Sequence, residues 1–181
     1  MAIYNYPTVN VLGPTGITGA TGPYGSPPGP TGPSSTVTGP TGSGKTQTLY
    51  SCLQYLIASE YNISSIEDPI EIHLKGINQV QVNEKSGLTF NLALRALMRQ
   101  DPDVIMLGEI RDATTAQTAF HAAETGHLVL ATLHANDAPS ALWRLRHLGI
   151  QSDTLANNLR CITAQRLVRL SCQACSSLKT N

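Results

Sequence analysis

The segment GPTGSGKT at positions 39–46 constrains this chain more than any other feature, because it fits the pattern G-x-x-x-x-G-K-[ST]. A short strand-forming stretch, SSTVT at 34–38, precedes the segment, and an amphipathic helical stretch follows it. Glycines in such a loop let backbone N–H groups turn inward around phosphates, and the N-terminus of the following helix adds its dipole. The pattern therefore predicts a phosphate-binding loop between a strand and a helix.

We assign the whole loop to ATP binding, with Lys45 reaching the β and γ phosphates and the Thr46 hydroxyl taking a place on Mg²⁺. The predicted ATP-binding residues are Gly39, Pro40, Thr41, Gly42, Ser43, Gly44, Lys45 and Thr46. The alternative is a chance match in a stretch rich in Gly and Thr. Lys45 and the amphipathic helix argue against chance, because the upstream repeats contain neither.

Strands and helices alternate after Pro33. Side chains suited to N-capping begin three predicted helices, at Thr89, Asp112 and Asp137. Further strands are predicted at 62–66, at 104–107 (VIML) and at 127–133. Helical crossovers between strands imply a mostly parallel sheet. The sequence thus predicts an α/β domain over residues 34–171, with helices flanking the sheet.

Carboxylates follow two of the predicted strands. Glu67 and Asp68 come after the strand at 62–66, and Glu109 comes after VIML. The carboxyl ends of parallel strands share the sheet edge that carries the loop, where a carboxylate can hold Mg²⁺ or orient and deprotonate a water. The alternatives are an ordinary turn before a proline and a helix-capping acid. Because VIML itself contains no Asp, we assign Mg²⁺ to Thr46, Glu67 and Asp68.

Charge and hydropathy exclude several classes of protein. The chain has 12 Lys plus Arg against 12 Asp plus Glu, so no net field attracts nucleic acid, and no direct nucleic-acid partner is expected. No apolar run approaches the ~20 residues that span a bilayer, and the first residues do not form a signal peptide. These features predict a cytoplasmic protein without a transmembrane segment.

A collagen-like tail is predicted at residues 1–33. Gly recurs every third residue over much of 13–32, among Pro and Thr. We expect the tail to be disordered, because it has too few apolar residues to fold. The alternative is a trimerising triple helix, which would make the chain a collagen-like structural protein.

Five ordered segments resemble one family, the ATPases of type IV pilus assembly and type II secretion. TGPTGSGKTQTLYS resembles its Walker A segment, ISSIEDPIEIHLKGINQVQVN its Asp box and LRALMRQDPDVIMLGEIRD its Walker B segment. TGHLVLATLHANDAPSAL resembles its His box, and AQRLVRLSCQAC is similar to the start of its C-terminal zinc element. The resemblance extends from about Ser34 to Cys175.

The resemblance implies a RecA-like P-loop fold and ATP hydrolysis at the subunit interfaces of a homohexamer. It also implies work delivered to an inner-membrane platform protein, and a position at the cytoplasmic face of the inner membrane. The resemblance implies that Glu109 polarises the attacking water and that His134 senses the γ-phosphate. We add Glu67 to the predicted catalytic residues because it lies at the same edge of the sheet. His127 is either a lesser contributor or a strand-edge residue bonded to the backbone.

The chain also departs from the family pattern. Cys172 and Cys175 begin a zinc element at 172–181 that lacks its second pair, so zinc is expected only in a complete family member. Family members carry a separate N-terminal domain and supply arginines in trans. We assign no catalytic role to Arg95, Arg99 or Arg111 and expect them to be solvated. The alternative to a working motor is therefore a truncated pseudo-motor that binds nucleotide with little turnover.

Overall fold

A computed structural model describes residues 35–168 and contains one six-stranded sheet. The predicted tail at 1–33 and the pair Cys172 and Cys175 lie outside the described residues. All neighbouring strands are parallel, in the order β3-β2-β4-β5-β1-β6. The strands are β1 (Ser35–Thr38), β2 (Ile63–Glu67), β3 (Asn78–Gln81), β4 (Val104–Leu107), β5 (Leu128–Leu133) and β6 (Cys161–Ala164). The predicted α/β class and parallel sheet are confirmed.

Helices connect most of these strands. They are α1 (Lys45–Ile57), α2 (Phe90–Leu97), α3 (Ala113–Glu124), α4 (Ala138–His147) and α5 (Ser152–Asn158), with one 3₁₀ turn at Glu84–Ser86. The side chains of Thr89, Asp112 and Asp137 accept hydrogen bonds from backbone N–H groups of α2, α3 and α4. All three predicted N-caps are therefore confirmed. Among residues 35–168, no helix is long and apolar enough to cross a membrane.

The core covers both faces of the sheet. Strand β4 is apolar throughout because both of its faces are covered. Val104 and Met106 pack with α1 on one face, and Ile105 and Leu107 pack with α2 and α3 on the other. All four side chains are buried. A strand covered on both sides has no face that water can solvate, so it contains a continuous apolar run.

Strand β1 is polar but lies inside the sheet, between β5 and β6. Thr36 and Thr38 are almost fully buried in it. The Thr38 hydroxyl donates to the carbonyl of Ala135 at 2.9 Å, which removes the cost of burying an unpaired polar group. The sequence did not predict the edge strands β3 and β6, because their short, partly exposed segments acquire partners only in the tertiary structure.

Candidate functional site

The predicted phosphate-binding loop follows β1 and ends in the first turn of α1. Gly42 and Gly44 have φ angles of 78° and 83°, a left-handed conformation that favours glycine. A Cβ atom on Gly44 would lie 2.9 Å from the side-chain nitrogen of Gln165, so this glycine also admits a close neighbour. The backbone thus has the course that the glycine pattern predicts.

Lys45 is folded over its own loop. Its Nζ donates to the carbonyl of Gly39 at 2.8 Å and to that of Pro40 at 3.1 Å. Burial lowers the pKa of the Lys45 ammonium, and the nearby charge of Glu109 opposes that effect. The ammonium has three donors, of which these carbonyls engage two. An anion bound in the loop would therefore find a desolvated cation close by.

One pocket of about 440 Å³ brings the predicted site residues together. The loop forms one wall, and the residues that follow β2, β4 and β5 form the others. From the predicted set, the pocket is lined by Thr41, Gly42, Ser43, Gly44, Lys45, Thr46, Glu67, Asp68, Glu109 and His134. Gly39 and Pro40 line a smaller neighbouring cavity of about 300 Å³, which shares His134 with the pocket. The shared sheet edge thus collects side chains that are far apart in sequence.

Glu109 lies between two basic side chains. Its Oε1 is 2.9 Å from His134 Nε2, and its Oε2 accepts from Arg111 Nε at 2.7 Å. The side chain is 19% exposed, so it is shielded but still accessible from the pocket. The carboxylate is thus held in place by contacts on both of its oxygens.

Arg111 is 48% exposed, in line with the expected solvated side chain, but it is also ion-paired. Besides Glu109, Arg111 contacts Asp68, whose Oδ2 lies 3.1 Å from its Nη1. Its guanidinium also lies 5.8 Å from the centre of the Phe90 ring and lines the pocket. No local sequence signal indicates this placement, because the contact with Asp68 depends on the adjacency of β2 and β4.

Glu67 is the most enclosed carboxylate of the pocket, at 2% exposure. Its Oε2 accepts a hydrogen bond from the Tyr50 hydroxyl. Its Oε1 accepts from Ser65 at 2.6 Å and from Gln79 Nε2 at 3.0 Å. Burial raises the pKa of Tyr50 to about 12, and the hydrogen bond to Glu67 acts in the same direction. The sequence pattern did not indicate Tyr50 and Gln79, because they resemble ordinary helix and strand residues.

His127 lies away from the pocket and is bonded to the backbone. Its Nδ1 is 2.9 Å from the carbonyl of Ala122 and 3.2 Å from the Thr125 hydroxyl. Because a carbonyl only accepts, Nδ1 carries the proton. Of the two interpretations left open for His127, this geometry supports the strand-edge residue.

Within residues 35–168, no group of three or more His, Cys, Asp or Glu side chains could hold a metal ion. Mg²⁺ at a phosphate site does not require such a group, because it keeps several waters and binds substrate phosphates. Thr46 provides a hydroxyl at the start of α1, and Glu67 and Asp68 stand across the same pocket. The donors present therefore fit a hydrated Mg²⁺ bound together with a nucleotide.

A parallel sheet with this loop and these carboxylates at one edge defines a RecA-like fold. Solved structures agree. A structure of the pilus retraction motor PilT with bound ADP superposes with a TM-score of 0.71 at 42% identity, over 76% of this chain and 43% of that one. The VirB11 ATPase of the Brucella suis type IV secretion system gives a TM-score of 0.60 at 26% identity, over 73% and 43% of the two chains.

The chain belongs to the family of Type II/IV secretion system proteins, whose model matches residues 34–181. It is 55% identical over 139 residues to the type IV pilus assembly ATPase PilB of Acinetobacter baylyi, and the aligned region covers 77% of this chain and 24% of that protein. It is 58% identical over 139 residues to the type II secretion system protein HxcR of Pseudomonas aeruginosa, covering 77% and 30%. The chain therefore spans less than a third of the length of these relatives.

Proposed function

We propose that this chain is the ATP-binding and ATP-hydrolysing core of a motor subunit that powers type IV pilus assembly or type II secretion. One observation carries the proposal: Lys45, Glu109 and His134, from three separate segments, line a single pocket at the carboxyl edge of the sheet. Membership of the secretion family and the names of its relatives support the same activity.

Nucleotide binding is assigned to the loop 39–46. Its N–H groups and the start of α1 would hold the phosphate oxygens. Lys45 would exchange its contacts with the loop carbonyls for contacts with the β and γ phosphates. The attraction between the ammonium and the phosphates would be strong, because Lys45 is buried from solvent. Thr46, Glu67 and Asp68 would hold Mg²⁺, directly or through water, and the ion would supply further neutralisation of phosphate charge.

Turnover is assigned to Glu109, with His134 beside it. The carboxylate has oxygens able to accept a proton from a water, and Arg111 and His134 restrict its orientation. His134 lines the pocket and contacts Glu109 directly, so a phosphate that moved His134 would also move the base. This contact is the physical basis that we propose for sensing the γ-phosphate.

The proposal includes a ring of identical subunits, placed at the cytoplasmic face of the inner membrane and acting on a platform protein. Arg111 supports the ring in particular. Its guanidinium is occupied by Glu109 and Asp68, so it offers little charge to a transition state. Cations from a neighbouring subunit would supply that charge, and their loss costs ~10³ to 10⁵ in rate. The same contact favours the second candidate, a nucleotide-binding pseudo-motor, whenever the chain is alone.

Calorimetric titration with Mg-ATP tests the proposal. Lys45→Ala is expected to abolish binding, because it removes the buried cation of the loop. Lys85→Ala is the matched control, since Lys85 is an exposed residue of the 3₁₀ turn and does not line the pocket. Equal ATP affinity in Lys45→Ala and the parent would refute the nucleotide site.

A further inference from the structure

The Glu67 carboxylate has only one acceptor position left. A carboxylate has two oxygens and about four lone-pair sites. Ser65 and Gln79 occupy both sites of Oε1, and the Tyr50 hydroxyl occupies one site of Oε2. No cation is among these partners, so neutral donors alone hold this buried acid. The remaining site of Oε2 can accept one further hydrogen bond, which suits a water better than direct coordination of a metal ion.

Two of the three donors also hold the chain segment that follows β2, residues 68–77. The Tyr50 oxygen accepts from the backbone N–H groups of Glu71 at 3.3 Å and Ile72 at 3.4 Å. Gln79 donates to the carbonyl of Ile72 at 3.1 Å and accepts from the N–H of Leu74 at 2.8 Å. The same two side chains therefore fix both the carboxylate and the segment beside the pocket.

Tyr50 joins this arrangement to the phosphate loop. It lies in α1, the helix that begins at Lys45, and its side chain is 3% exposed. A rigid helix thus connects the nucleotide loop to the hydroxyl that holds Glu67. The ring belongs to the same core cluster as Leu49 and Leu53. A phenylalanine ring would fill that space equally well, so core packing explains the ring of Tyr50 but not its hydroxyl.

We propose that Tyr50 and Gln79 are positioning residues for the ATPase reaction, and this inference rests on the proposed function. They fix Glu67 so that its remaining acceptor site holds a water of the hydrated Mg²⁺ of a bound nucleotide. Neither side chain needs to touch the nucleotide. Loss of either donor leaves the buried carboxylate with a second orientation, and the segment 68–77 loses its anchor at the same time.

Tyr50→Phe tests this inference because it removes the hydroxyl and keeps the ring. Tyr55→Phe is the matched control: Tyr55 lies in the same helix but is 68% exposed. The test also requires Glu67→Gln and the double variant. Phosphate release gives turnover and the KM for ATP, and a fluorescent ADP analogue gives affinity with Mg²⁺ and with EDTA. Hydrogen exchange reports the amides of residues 71–74.

A hydrogen bond to a charged group supports a fall in turnover of about tenfold in Tyr50→Phe. Mg²⁺ should increase the affinity for the analogue less in Tyr50→Phe than in the parent, and the same is expected of Glu67→Gln. The affinity measured in EDTA should stay at the parental value. Because Tyr50 acts through Glu67, the double variant should lose nothing beyond Glu67→Gln. The amides of Glu71 and Ile72 should exchange faster, and Tyr55→Phe should match the parent throughout.

Parental Mg²⁺ dependence in Tyr50→Phe, or losses that simply add in the double variant, would overturn the inference. If Tyr50→Phe does not fold, Gln79→Leu carries the same test, because it removes the second donor to Glu67. Failure of the proposed function has a different signature, in which the parent and Lys45→Ala bind the analogue equally. The binding and exchange measurements decide the inference even where turnover of the isolated chain is too low to measure.

Discussion

Replacement of Glu109 by Gln should separate nucleotide binding from hydrolysis. The change removes the proton acceptor but preserves the shape of the side chain and one of its oxygens. In the structure that side chain contacts Arg111 at 2.7 Å and His134 at 2.9 Å. The consequences for folding, binding and turnover therefore differ in size and can be estimated separately.

The effect on folding should be small. Arg111 and His134 are 48% and 45% exposed, and contacts between charges in such positions contribute less than ~1 kcal/mol. The effect on turnover should be large, because a positioned general base contributes ~10² to 10⁴ in rate. Mg-ATP affinity should be retained or increase, since the variant removes a negative charge near Lys45 and near the expected position of the phosphates.

Phosphate release and fluorescent-nucleotide binding, measured side by side, check these estimates. Glu84→Gln is the control, because Glu84 is an exposed acid in the 3₁₀ turn. Mixing in a complete family subunit should raise the parental rate by supplying the cations of a neighbouring subunit, but should not rescue Glu109→Gln. Hydrolysis by Glu109→Gln at the parental rate would show that the active-site assignment is wrong.

Three further tests address the fold and the loop. Leu94→Ala should lower the free energy of unfolding by ~3 to 5 kcal/mol in denaturant titrations, because Leu94 is fully buried. The control Leu92→Ala should change it little, because Leu92 is 55% exposed. Equal losses in the two variants would contradict the assigned core. Gly39→Ala should weaken nucleotide binding more than Gly42→Ala, because a Cβ at 39 would lie 2.4 Å from the backbone oxygen of Gln165, whereas a Cβ at 42 meets nothing within 4 Å. Calorimetry would contradict this if the order were reversed. Burial raises the pKa of Asp112, but hydrogen bonds from two threonines lower it by more, so the net shift is downward. The ionised carboxylate therefore stabilises the fold at pH values above the unfolded pKa of ~3.9. The stability advantage of the parent over Asp112→Asn should therefore be present at pH 6 and shrink as the pH falls through the lowered folded pKa. An advantage that did not depend on pH would contradict the assignment.

The position of Arg111 illustrates what local sequence patterns leave open. An arginine that follows a strand can either extend into solvent or contact a neighbouring loop. The local sequence around the arginine does not distinguish these two placements. Its contact with Asp68 joins residues 43 positions apart, and it forms because β2 and β4 are adjacent in the sheet. The local sequence did not show this contact, because strand adjacency is not encoded locally.

Local physical chemistry allowed the sequence alone to determine several features of this protein. Glycines that tolerate a left-handed backbone specified the course of the predicted phosphate loop. Capping side chains specified the starts of α2, α3 and α4, and an apolar run specified the buried strand β4. Each of these signals acts within a few residues along the chain, so each can be recognised without knowledge of the partners in space.

Only the tertiary structure decided the strand order, the interior position of the polar strand β1 and the environment of Glu67. The partners of that carboxylate come from α1, β2 and β3, and their side chains are of types common on any helix or strand. Whether a buried acid is satisfied depends on which donors the packing of distant elements brings within about 3 Å. That distance follows from the sheet order and from the docking of α1 on the sheet, which are properties of the whole fold.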